Sequence, residues 1–108
     1  MENQMLELLK TRRSVRAYRP EQVKPEELDA VLEAGTYAPT GMGKQSPVIV
    51  AVQSPRYREA VMELNKQARG GTGDPYYGAP TIVLVLADPE RGTCVEDASC
   101  VLCTMMDA

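Results

Sequence analysis

Apolar positions along the chain fall into separate groups, and their spacing predicts an alternation of helices and strands. Met5, Leu8 and Leu9 repeat at i, i+3, i+4, with Leu6 beside them, which predicts a short helix over 4–11. Residues 15–19 read as extended, ending at Pro20. Leu28, Val31 and Leu32 make the stripe of a second helix over 25–34. Pro25 suits its first position, Glu26, Glu27 and Asp29 its positive end, and Gly35 its C-terminal stop. After a loop over 36–47, which its two Pro and two Gly predict to be irregular, Val48–Gln53 is a buried strand. Ser54-Pro55 starts a third helix that runs to Ala68, with Tyr57, Val61, Leu64 and Ala68 on one side. A Gly/Pro-rich loop fills 69–80. Thr81–Ala87 is continuously apolar and rich in β-branched residues, which predicts a second buried strand. Thr93 precedes Glu96 by three, a capping-box pattern for a last helix still running at Ala108.

The predicted order is therefore α-α-β-α-β-α, an α+β arrangement. Two strands buried on both faces do not make an independent sheet. The expectation is an incomplete sandwich, completed by a C-terminal half, a dimer partner or both. With 108 residues, one domain spanning 1–108 is the ceiling. The chain has no Trp or Phe, so its core must be aliphatic, filled out by six Met and five Tyr. A core of that size also favours oligomerisation.

Charge changes the picture locally. The net charge of −3 argues against nucleic acid or an anionic membrane as partner. Yet Lys10, Arg12, Arg13, Arg16 and Arg19 make a basic island after the first helix. No apolar run reaches the roughly 20 residues that span a bilayer, and no secretory signal pattern opens the chain, so the expected location is the cytoplasm. Three Cys without an export signal read as free thiols. Cys100 and Cys103 share a helix face, and burial as small apolar side chains is their expected role. No His is present, which removes Ser-His and Cys-His nucleophilic pairs and leaves no complete zinc ligand set of Cys and His.

Three segments carry candidate chemistry. In Arg12-Arg13-Ser14-Val15-Arg16, guanidinium forks and a hydroxyl match the donor pattern that phosphate requires. A solvated basic turn at a helix C-terminus accounts for the same residues. In Pro39-Thr40-Gly41-Met42-Gly43-Lys44-Gln45, glycines permit close approach to a flat ligand, and Thr40 and Gln45 offer polar contacts. An ordinary connecting loop is the alternative. This is no P-loop, because Gln follows Gly43-Lys44 and a strand comes next. Asn65, late in the third helix, has either a ligand or bare solvent to face. Tyr76-Tyr77 borders an opening or packs at the surface.

Taken in order, LLKTRRSVRAYRPEQV (8–23), LDAVLEAGTYAPTGMGKQSPVIVAV (28–52), Asn65, GAPTIVLVLAD (78–88) and DAS (97–99) resemble the nitroreductase family. The resemblance implies an FMN-dependent NAD(P)H oxidoreductase acting on nitroaromatic, quinone or related small acceptors. It implies a homodimer with shared FMN sites. Arg12, Arg13, Ser14 and Arg16 would hold the FMN phosphate and ribityl chain. Pro39, Thr40, Gly41 and Gln45 would line the flavin ring, typically of the opposite subunit, and Asn65 would reach its polar edge. Gln45-Ser46-Pro47 stands where the family has Gln-Pro. Family members are longer, and their second half adds contacts near flavin N5. A truncated or non-catalytic flavin-binding module is the alternative function.

Overall fold

A computed structural model describes all residues 1–108. Its elements are α1 (Gln4–Thr11), α2 (Pro25–Thr36), a 3₁₀ turn (Gly41–Gly43), β1 (Val48–Val52), α3 (Pro55–Arg69), β2 (Ile82–Leu86) and α4 (Cys94–Asp107). The order α-α-β-α-β-α is the predicted one. The strands pair antiparallel, with Val48 opposite Leu86 and Val52 opposite Ile82, and α3 lies in the connection between them.

This register sorts the strand residues by face, because alternate side chains point to opposite sides. Ile49, Val83 and Val85 pack on Ala38 of the loop and on Val101 and Met105 of α4, together with Val31 and Leu32 of α2. One face of the ribbon is thus covered by α2 and α4. The other face is largely open. Val48, Val50 and Leu86 are exposed there, and Val52 and Ile82 are buried at its α3 end. Both strands were expected to be buried throughout; the structure corrects this, because no element covers the outer part of that face. The buried hydrophobic residues are Ala38, Val52, Met62, Ile82, Val101 and Met105.

Local signals placed most helix ends. Asn3 caps α1, its side chain accepting the Met5 N–H at 2.9 Å. Pro25 opens α2, and Glu27 accepts the Lys24 N–H at 3.3 Å. Gly70, left-handed at φ 65°, closes α3.

Three local expectations differ from the structure. Gly35 does not stop α2, which continues to Thr36. Gly35 is buried, and a Cβ there would stand 2.8 Å from Met105 Cγ and 2.9 Å from Ile49 Cδ1. It is Gly for close packing, not for a turn. The capping box at Thr93 does not form either, since the Thr93 hydroxyl donates to Asp97 at 3.0 Å. Finally, Cys103 is exposed, and Cys94 and Cys100 are only half-buried. The buried side of α4 is set by Asp97, Val101 and Met105, which leaves Cys103 turned outward.

The α1 helix docks differently from the rest. Met5, Leu6, Leu8 and Leu9 are all exposed, so no residue of its apolar stripe is buried within this chain. The segment after it is tied down by Gln22, which donates to the Pro80 carbonyl at 3.3 Å and bonds the Thr81 hydroxyl. No helix is long and apolar enough to cross a membrane.

Candidate functional site

The chain leaves α1 at Arg12 in a non-helical conformation, φ −54° and ψ 137°, and runs irregularly to Pro20. This exit brings Arg12, Arg13, Ser14 and Arg16 onto one open cavity of about 500 Å³. Its remaining wall comes from Arg69 at the end of α3, Tyr77 and Met106, among others. No carboxylate lines it. The ion pairs of the chain use Lys10, Arg58 and Lys66, so none of the four cavity arginines is neutralised. Arg13 is partly committed, donating to the Lys10 and Arg12 carbonyls at 2.8 and 2.9 Å and thereby closing α1. Arg12, Arg16 and Arg69 keep their donors free for a ligand. Four guanidiniums in one concavity repel each other and focus positive potential, and an anion with several oxygens relieves both.

The Tyr77 wall is held by a compact polar cluster. Asp74 accepts the Tyr76 N–H at 2.8 Å and the Gly78 N–H at 2.9 Å, and pairs with Arg58 at 2.5 Å. Arg58 also donates to the Ala79 carbonyl at 2.9 Å. The resulting turn leaves Tyr77 left-handed, at φ 54°. Burial pushes the Asp74 carboxyl up, but the Tyr76 N–H, the Arg58 guanidinium and the Gly78 N–H more than reverse it, and the net shift is downward from 3.8. A depressed native value means the carboxylate stabilises the fold above its unfolded value and ceases to as pH falls through the native one. Melting temperature is therefore expected to fall below pH 3.8 partly through Asp74. Asp74→Asn should flatten that acid limb and lower stability at neutral pH. Identical pH profiles for both proteins would remove Asp74 from the account.

Asn65 lies one helical turn before Arg69. Its side-chain N–H donates to the Tyr76 hydroxyl at 2.7 Å, so it faces neither bare solvent nor either of the two cavities described here. Tyr76 is half-buried, and Tyr77 is the one that borders the arginine cavity.

The loop after α2 builds a second concavity, of about 320 Å³, lined by Thr40, Gln45, Thr36, Ala38, Ile49 and Val101 among others. Pro39 is exposed and Gly41 half-buried, and neither lines it. Gln45 N–H donates to the Thr40 hydroxyl at 2.9 Å, and its side-chain amide donates to the Thr36 carbonyl at 3.1 Å. That leaves the Gln45 side-chain carbonyl as its free polar atom. The loop contains left-handed Met42 (φ 56°), Gly43 (φ 64°) and Gln45 (φ 49°). The arginine cavity and this loop cavity share no lining residue.

Two residues of the region escaped the sequence. Arg69 joins the cationic cavity from 53 positions beyond Arg16, through the fold alone. Asp97, buried at 3% exposure, accepts the Gly41 N–H at 2.8 Å. The approach of loop and helix is close, for a Cβ on Gly41 would collide with Thr93 Oγ1.

Comparison with known proteins gives the family and the fold. The model of the nitroreductase family matches residues 9–106. The FMN reductase [NAD(P)H] of Bacillus subtilis (strain 168) is 31% identical over 90 residues, covering 82% of this chain and 34% of that protein. The crystal structure of a nitroreductase with bound FMN from Bacteroides fragilis superposes with a TM-score of 0.87 at 34% identity, covering 98% of this chain and 64% of the other. A nitroreductase with bound FMN from Desulfitobacterium hafniense gives 0.86 at 26% identity, covering 99% and 64%. The chain thus spans about a third of the Bacillus subtilis enzyme and under two thirds of each of these structures. Matched across nearly its whole length, and carrying an unneutralised arginine cavity after its first helix, the chain belongs to the nitroreductase family.

Proposed function

We propose that this chain carries the FMN-holding part of an oxidoreductase that passes a hydride from NAD(P)H, through flavin, to a nitroaromatic, quinone or related small acceptor. The observation that carries the reading is the arginine cavity, four cations with no carboxylate among its lining residues. A phosphate monoester is a dianion near neutral pH, and guanidinium forks with a Ser hydroxyl suit its oxygens. Arg12, Ser14 and Arg16 are the ligands in this reading, with Arg13 contributing while it closes α1. When bound, FMN supplies the redox chemistry, and the protein's part is grip, orientation and electrostatics. No side chain need act as nucleophile, consistent with a chain that contains no His.

Pro39, Thr40, Gly41 and Gln45 serve the ring side of the site. Because their loop and the arginines border separate cavities of one chain, a homodimer that shares its FMN sites suits the arrangement. Asn65 braces the Tyr76-Tyr77 turn through one N–H, and its second N–H and side-chain carbonyl remain for the flavin edge. A cytoplasmic location goes with this reading.

The test is direct. The protein should take up FMN and keep its yellow colour through gel filtration, and NAD(P)H should be oxidised when a quinone is added. FMN retained without turnover would convert the assignment to a non-catalytic flavin binder. Failure to take up FMN at all would end it.

A further inference from the structure

Asp97 is the chain's one buried charged side chain, at 3% exposure. Both its oxygens are engaged. One accepts the Gly41 N–H at 2.8 Å across 56 positions of sequence, and the other accepts the Thr93 hydroxyl at 3.0 Å. The loop it reaches is internally tense, with Met42 and Gln45 in left-handed conformations that L side chains adopt only when held. Every other hydrogen bond made by residues 37–47 is local, within nine positions. The Gly41–Asp97 bond is therefore the single polar tie between this loop and a distant element. Its partner residues are matched in shape, since only Gly at 41 lets the loop lie against Thr93.

We infer that Asp97 is a positioning residue for the flavin-facing loop, a strut from the first turns of α4 that sets where Thr40 and Gln45 stand against the ring. The inference rests on the flavin reading above. The strut and the phosphate grip are separate parts of the fold. Asp97 lines neither cavity, and its effect runs through Gly41. Loss of the strut should misplace the loop while leaving the arginine grip on the phosphate intact. A displacement of about 1 Å in a positioning group costs on the order of a hundredfold in turnover.

The experiment compares wild-type, Asp97→Ala and Asp97→Asn proteins loaded with FMN. Hydrogen exchange over residues 41–45 should speed up in Asp97→Ala. The visible circular dichroism of the flavin should change, and kcat with a quinone should fall by roughly ten- to a hundredfold. FMN affinity should fall less than on loss of Arg12 and Arg16, because the phosphate grip is untouched. Asp97→Asn keeps an acceptor for the Gly41 N–H and should restore most of the dichroism and turnover. Should Asp97→Ala fail to fold, Gly41→Ala tests the same geometry from the other side. It should shift the dichroism, and adding Thr93→Ala should recover part of it by removing the Thr93 hydroxyl that the new Cβ would strike. An Asp97→Ala or Gly41→Ala protein with wild-type dichroism and kcat overturns the strut, as does an Asp97→Asn protein as impaired as Asp97→Ala. If wild-type protein takes up no FMN, the flavin reading falls and this inference with it, a result plainly different from FMN bound with no effect of Asp97.

Discussion

Replacing Arg12 and Arg16 together by Ala is expected to weaken FMN binding on the order of a hundredfold, because each change removes a hydrogen bond to a charged group worth about 1–3 kcal/mol. The side chains are exposed, so solvent screening holds the effect toward the lower end. Neither guanidinium has an ion-pair partner to release, and the loss should appear in binding with little change in folding stability. Ser14→Ala should act in the same direction and more weakly. Fluorescence titration with FMN measures the affinity, and riboflavin is the control. It has the ring and ribityl chain but no phosphate, so its affinity should change far less between wild type and variant than that of FMN. Raised salt should weaken FMN binding by the wild type more than by the variant. Equal FMN affinity in the two proteins would remove phosphate from the cavity.

The second large effect concerns the core. Met105→Ala should destabilise the protein by about 2–5 kcal/mol, the range for emptying a buried site of this size. Met105 is 7% exposed, packs with Ala38 and Val101, and its Cγ stands where a Gly35 side chain would be. Few buried hydrophobics share the load, so the melting temperature should drop by about 10 °C or more. Met106→Ala, one position on and 59% exposed, should stay within about 0.5 kcal/mol. Equal losses at the two positions would mean that α4 does not pack by the face described here.

The location of Met105 also bears on the site. Ala38 begins the loop that carries Thr40 and Gln45, and it is buried against the same α4 that presents Asp97 to Gly41. Core packing and one buried carboxylate thus act on the loop from the same helix. The Asp74 cluster does the corresponding work on the other side, holding Tyr77 at the rim of the arginine cavity.

What the residues alone determined is what local rules govern. Helical periodicity and capping fixed α1, α3 and most of α2, since those interactions lie within a few positions of each other. The two apolar β-branched runs marked both strands, and the arginine run after the first helix marked the cationic turn. The ordered resemblance of the segments identified the family that the comparisons then matched. What only the tertiary structure decided depends on partners far apart in the chain. Gly35 reads as a helix stop by itself, yet it is small because Met105 and Ile49 crowd it. Thr93 reads as half of a capping box, but Asp97 captures its hydroxyl while also holding Gly41. Arg69 looks like an ordinary basic residue at a helix end until the fold sets it beside Arg12 and Arg16. The antiparallel register and the open face at Val48, Val50 and Leu86 were equally illegible, because an apolar strand does not state which of its sides will be covered. Backbone preferences are written in neighbouring residues, whereas burial and charge pairing depend on which distant surfaces meet.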